Sequence, residues 1–217
     1  MKTFISTAII ITSVLLPIAV DDSDILYEID FDEVEQIEEL NYYLDQYYEF
    51  KQGIGFREST NNYKAVSRSG NYWGKYQFGE LARREVNIDI GKVAFASDTL
   101  IQETAFYKLL CRNYNYLRTE IRQFKRTEIN DIEITESGIL ASAHLVGFSS
   151  VKKYLHSNGK IVRLDDNNTS LEEYMYEFSH YDLNLKCEYE DNFITNYLVT
   201  EYGQDDIRRT TRRVETR

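Results

Sequence analysis

The stretch from Arg57 to Gly79, RESTNNYKAVSRSGNYWGKYQFG, concentrates the residue types that polysaccharide chemistry uses. Glu58 supplies a carboxyl, Asn62 and Gln77 supply amides, and Tyr63, Trp73 and Tyr76 supply aromatic faces, while Gly70 and Gly74 permit close approach of backbone. Aromatic faces stack on sugar rings and amides hydrogen-bond to hydroxyls. A carboxyl shielded by apolar walls keeps its proton to higher pH and can hand it to a leaving oxygen. Glu58 is the one carboxyl inside this run that could play such a part, an ordinary surface glutamate at a helix end being the other reading. Ser59 reads as an N-cap or a hydrogen-bond partner within the cleft loop rather than a nucleophile, because no His lies near it in sequence. No other Asp or Glu occurs between Glu58 and Glu80. A two-carboxylate glycosidase sets its acids roughly 5–5.5 Å apart for retention and roughly 6.5–9.5 Å apart for inversion. Either a distant acid such as Glu103 or Glu136 enters the cleft, or Glu58 works alone, first as acid to the glycosidic oxygen and then as base for the sugar's own 6-hydroxyl.

The order Glu58-Ser59, Asn62, Ala65, Ser67, Gly70, Gly74 and Gln77 resembles the signature of soluble lytic transglycosylases, with one extra residue between Gly70 and Gln77. The spelling is closer still to bacterial lysozyme-like proteins often labelled peptidoglycan-binding. Those also carry segments similar to Thr135–Gly147, to the Ser-Val-Lys-Lys-Tyr-Leu run after it, and to Asp166–Phe178. The resemblance spans roughly residues 45–182 in one order. It implies a lysozyme-like α+β fold, predominantly helical with a small β element, in which Glu58 ends a helix and faces a glycan cleft. Where transglycosylases read Ala-Tyr-Asn-Ala-Gly, this chain reads Ala143-His144-Leu145-Val146-Gly147. His144 thus takes a cleft position, with a hydrogen-bonded core histidine as the other reading. The implied substrate-binding set is Ser59, Asn62, Tyr63, Trp73, Tyr76, Gln77 and His144. No cofactor and no metal are expected.

Several helices must hold these residues in place. Apolar residues at Phe31, Val34, Ile37, Leu40, Leu44 and Tyr47 recur at steps of three and four, the mark of an amphipathic helix whose other face carries acids. A second helix is expected from about Ser97, read as its N-cap, to about Phe124. A third starts near Thr135 or Ser137 and stops at Gly147. A fourth resumes at Ser149-Ser150 and runs to the turn at Ser157-Asn158-Gly159, and Ser170 caps a fifth. Short strands are expected at Lys160–Leu164 and around Tyr72–Phe78. Asp166-Asn167-Asn168-Thr169-Ser170 reads as a turn plus cap, because a calcium loop needs Gly where Leu171 stands. Gly53-x-Gly55 follows no strand and is not a dinucleotide motif.

Among 217 residues, 25 Lys and Arg oppose 36 Asp and Glu, a formal charge of −11, and the hydrophobic fraction of 42% is enough for a sizeable core. Residues 21–50 hold twelve of the acids and no Lys or Arg, so the chain beyond Lys51 is close to neutral. The acidic sign argues against a nucleic-acid partner, since phosphates require compensating cations. Residues 1–20 have the layout of a secretory signal peptide, or of an uncleaved anchor, the one route to a membrane. The expected organisation is thus a signal or anchor at 1–20, an acidic amphipathic helical extension at 21–44, a lysozyme-like domain at 45–182, and a C-terminal extension at 183–217 ending in an Arg-rich tail. Cys111 and Cys187 are the only cysteines, either a single disulfide in an oxidising compartment or free thiols.

The functional expectation is a secreted or periplasmic, monomeric cell-envelope enzyme. It cleaves the MurNAc-GlcNAc β-1,4 bond of peptidoglycan glycan strands with Glu58 as its single general acid/base. A lytic transglycosylase is favoured over a muramidase hydrolase. The alternative from another class is a noncatalytic peptidoglycan-binding or scaffolding module on the same fold.

Overall fold

The computed structural model describes residues 31–185 and Cys187; the expected signal segment, the first part of the acidic segment and the Arg-rich tail lie outside the described residues. The architecture is predominantly helical with one small sheet. Helix α1 spans Phe31–Ser59, α2 Glu80–Glu85, α3 Lys92–Ser97, α4 Thr99–Phe124, α5 Glu136–Val146, α6 Phe148–His156 and α7 Leu171–Glu177. Strands β1 (Glu128–Ile129) and β2 (Ile132–Glu133) pair antiparallel.

The acidic helix does not stop at Tyr47. It continues unbroken to Ser59, so the acidic segment and the chemistry-bearing residues share one rod. Its described residues up to Tyr42 are exposed, whereas Tyr47, Phe50 and Ile54 are buried. The C-terminal half of α1 is therefore a core helix. Phe50 lies against Phe106 of α4, Phe178 and Tyr181, with ring centroids 6.4, 5.8 and 5.5 Å away. Thr60 and Asn61, both in the left-handed region, end the helix, and the Asn61 N–H returns to the Gly55 carbonyl at 3.0 Å.

The N-cap of the long central helix lies one residue later than its sequence cue, Ser97. Asp98 is the N-cap, accepting from the Ile101 N–H at 3.0 Å, while Ser97 closes α3 and donates to the Val93 carbonyl at 2.7 Å. Adjacent Ser and Asp compete for this role, and the turn of α3 leaves Asp98 as the extended residue. Thr135 caps α5, and Ser170 caps α7 through a reciprocal capping box with Glu173. Gly147 at φ +79 separates α5 from α6, a conformation costly for a residue with a Cβ.

The strand expectations were misplaced. Lys160–Leu164 forms no strand, contributing a single bridge from Leu164 to Ser170, and the Tyr72–Phe78 region contributes only the bridges Val66–Trp73 and Trp73–Phe78. Among the described residues the one ladder is the Thr127–Ile134 hairpin, where Asn130 and Asp131 both take positive φ. Two consecutive left-handed residues make the tight turn whose twist suits a hairpin. Helices α4, α5, α6 and α7 pack around one another. Gly138 of α5 lies so close to the Met175 carbonyl that no side chain fits there, and Ser142 Oγ donates to the Leu171 carbonyl at 2.8 Å. A disulfide joins Cys111 of α4 to Cys187, fastening the segment that follows α7 to the central helix.

Candidate active site

Glu58 occupies the last turn of α1, with its side chain 15% exposed. Two helices remote in sequence close around it. From α7, the Tyr174 hydroxyl donates to Glu58 Oε1 at 2.7 Å. From α5, His144 Nε2 lies 3.8 Å from the same oxygen. Arg57 fixes the approach of α7 by pairing with Glu173 at 3.5 Å and Glu177 at 3.1 Å and lying 5.5 Å from the Tyr174 ring.

Burial lifts the Glu58 carboxyl from 4.5 to about 7. The Tyr174 hydrogen bond pulls the other way, the Asp165 carboxylate adds to the rise, and the Arg57 guanidinium opposes it. Burial also pushes His144 down to about 4, against a hydrogen bond with the Tyr76 backbone that favours the charged ring. Between about pH 4 and about pH 7 the contact between Glu58 and His144 therefore joins two neutral groups and is not an ion pair. A protonated carboxyl near neutrality, touched by a phenol and a neutral imidazole, can serve as a proton donor and, once ionised, as a base.

The motif loop is held from beneath by two consecutive residues of α4. Buried Gln102 accepts from the Lys75 N–H at 2.8 Å and donates to the carbonyls of Tyr63 and Phe95, each at 3.0 Å. Buried Glu103 takes Lys51 at 3.0 Å, Lys75 at 3.2 Å, the Tyr63 hydroxyl at 2.6 Å and the Tyr76 hydroxyl at 2.8 Å. The two lysines outweigh the desolvation cost and hold the Glu103 carboxyl below its usual value. Gly55 has no room for a side chain because Lys75 crosses the helix there, and Gly74, at φ +82, leaves space for Gln102.

This scaffold reassigns several expected cleft residues. Tyr76 is 1% exposed, stacks on Phe106 at 4.1 Å and points its hydroxyl at Glu103, so it does not reach a substrate surface. The hydroxyl of Tyr63 is likewise engaged by Glu103. Ser59 Oγ donates to the Lys75 carbonyl at 2.7 Å and accepts from the Asn62 N–H at 3.0 Å, so it ties the loop to the helix end. Gln77 donates to the Gly74 carbonyl at 2.8 Å. Asn62 is exposed, its side-chain oxygen accepting from the Lys64 N–H at 2.9 Å. Trp73 is half-buried, its indole N–H on the Gly70 carbonyl at 2.9 Å. His144 alone of the expected binding set lies against Glu58.

The distant acids proposed as second carboxylates are engaged elsewhere. Glu103 lies in the lysine network, and Glu136 faces Lys125 at 3.9 Å. The acid whose charge reaches Glu58 is instead Asp165, which sequence reading passed over. One of its oxygens accepts from the backbone N–H groups of Asn167 at 2.9 Å and Thr169 at 2.7 Å, confirming the expected turn before the Ser170 cap. Next to it, Asp166 accepts from the Tyr72 hydroxyl at 3.3 Å, linking this turn to the motif loop. Tyr174 also escaped detection, because its hydrogen bond spans 116 positions and no local spacing marks it. Comparison with protein-family models, with curated proteins and with solved structures finds no match for the chain.

Proposed function

We propose that this protein is an exported peptidoglycan lytic enzyme on a lysozyme-like fold, cleaving the MurNAc-GlcNAc β-1,4 bond with Glu58. The observation that carries the reading is the Glu58 carboxyl itself. It sits at a helix end, mostly buried, raised to about 7, and contacted by Tyr174 and His144. An ordinary helix-end glutamate gains nothing from such a setting, whereas a general acid needs its proton near neutral pH.

In the favoured route the Glu58 carboxyl donates its proton to the glycosidic oxygen as the bond from that oxygen to C1 breaks. The Tyr174 hydroxyl, donating to Oε1, steadies the carboxylate that results. That carboxylate then takes the proton of the same sugar's 6-hydroxyl while O6 closes on C1, leaving a 1,6-anhydro end and restoring the acid. No second carboxylate is required. The alternative route uses water in place of O6, with Asp165, whose charge adds to the rise at Glu58, as the candidate second acid to support the developing positive charge.

The test incubates the mature protein with purified sacculi, wild type beside Glu58→Gln. Release of muropeptides by the wild type and not by the variant supports the reading, and mass spectrometry of the ends separates anhydro from reducing products. Equal release from both proteins, or none from either, defeats it. Co-sedimentation of both proteins with sacculi without any product would instead favour the noncatalytic binding module.

A further inference from the structure

A concave surface lies along the outer stripe of α4. Arg112 lies four residues after Lys108, and Asn115 and Tyr116 lie three and four residues after Arg112, so all four share one stripe of this helix, and the end of α2 with Glu85 and Asn87 forms the opposite wall. The groove measures about 360 Å³, within the roughly 300–1,000 Å³ range of small-ligand sites. It shares no lining residue with the Glu58 site.

The groove has an aromatic platform. Tyr116 is 49% exposed, yet one face of its ring is covered by Phe148 in a parallel stack with centroids 4.4 Å apart and planes 8° apart. Arg112 stiffens this pair, its guanidinium carbon lying 4.9 Å from the Tyr116 ring and 5.4 Å from Phe148. A ring held in this way offers its free face and edges at little cost in side-chain entropy.

The groove also carries one uncompensated charge. Arg112 is neutralised by Glu85 at 3.0 Å. Lys108, one turn away on the same face, has no hydrogen-bond or ion-pair partner among the described residues. Two cations at this spacing repel each other, and an anion beside Lys108 relieves that repulsion. With Glu85 present the wall carries a single net positive charge, which suits a monoanion better than a dianionic phosphate. The amides of Asn87 and Asn115 add groups able to pair with hydroxyl or acetamido substituents.

We propose that this groove is a binding site for a carboxylated sugar, its ring stacked on Tyr116 and its carboxylate beside Lys108. Such a site holds an acidic glycan at a distance from the reacting bond and does not depend on the chemistry at Glu58.

The test titrates the full-length, disulfide-intact protein with N-acetylmuramic acid, and separately with N-acetylglucosamine, which lacks the carboxylate. Titrations are repeated with Tyr116→Ala, Lys108→Gln and Lys108→Arg. Saturable binding of N-acetylmuramic acid is expected, weakened about tenfold by loss of the stacking face and about fivefold by loss of the ammonium, with Lys108→Arg restoring most of it. Lys108→Gln alters a half-buried side chain without other partners, so it reads out even where Tyr116→Ala disturbs folding. Equal binding by wild type and Lys108→Gln overturns the proposal, as does the absence of saturable binding. Equal affinity for glycerol phosphate with the same dependence on Lys108 also overturns it, since that behaviour marks a patch for any anion. Failure of the sacculus assay would leave these titrations unaffected.

Discussion

Replacing Glu58 by Gln should stabilise the protein, by an amount that depends on pH. In the unfolded chain a glutamate carboxyl titrates near its ordinary 4.5, whereas in the folded protein it titrates at about 7 because burial penalises the charge. Below pH 4.5 both states are protonated, and Gln, a neutral near-isostere that still accepts from Tyr174, changes little. Between 4.5 and 7 the unfolded chain loses its proton first, so unfolding is favoured and the wild type loses stability as pH rises. The span from 4.5 to about 7, at ~1.4 kcal/mol per pH unit, corresponds to about 3 kcal/mol by pH 8. For a chain of this size that is a midpoint shift on the order of 6–12 °C. The assay is denaturant unfolding of wild type and Glu58→Gln at pH 4 and pH 8, with the disulfide intact. The variant should match the wild type at pH 4 and exceed it at pH 8. A stability difference that is the same at both pH values would refute the reasoning, because it would mean that Glu58 pays no burial penalty as an anion. The measurement needs no substrate, so it tests the electrostatics of the site separately from the proposed activity.

Glu103→Gln should act with the opposite sign. Its carboxyl is held below the usual range by Lys51 and Lys75, so its contribution is present at neutral pH and is lost as pH falls through the depressed folded value. Breaking this buried network should cost at least about 3 kcal/mol near pH 7, with faster hydrogen exchange of the motif loop around Lys75. Tyr174→Phe removes a hydrogen bond that lowers the Glu58 value, so the alkaline limb of the pH profile for sacculus cleavage should move to higher pH; a limb that stays put or moves down contradicts the assignment. Reduction of the Cys111–Cys187 bridge, which joins residues 76 apart, should lower unfolding free energy by about 4 kcal/mol through restored chain entropy in the unfolded state. An unchanged urea midpoint in the presence of reductant would count against that cross-link.

Much of the frame was legible from the chain because its signals are local. The steps Phe31, Val34, Ile37, Leu40, Leu44 and Tyr47 lie within one helix, and Thr135 and Ser170 announce the starts of α5 and α7 through bonds to backbone only three residues on. Glu58 stood out for the same reason, as one acid inside a short run of aromatics, amides and glycines. The strands were misjudged because β-branched and Gly-flanked runs carry little periodicity over two to five residues, while the true hairpin is set by two left-handed turn residues, Asn130 and Asp131.

The sequence by itself thus determined which acid stands among aromatics, amides and glycines and where α5 and α7 begin, since both are properties of neighbouring residues. Only the tertiary structure decided what surrounds that residue. Whether a tyrosine faces a cleft or a core depends on what packs behind it, and Gln102 and Glu103 of α4 turn Tyr63 and Tyr76 inward by offering buried hydrogen-bond partners. Conversely, Tyr174 and His144 reach Glu58 because α5 and α7 close on the end of α1, a meeting of segments some 90 to 120 positions apart. The proton affinity of Glu58 is therefore a property of the fold. It arises from the exclusion of water by three helices, which no spacing along the chain encodes.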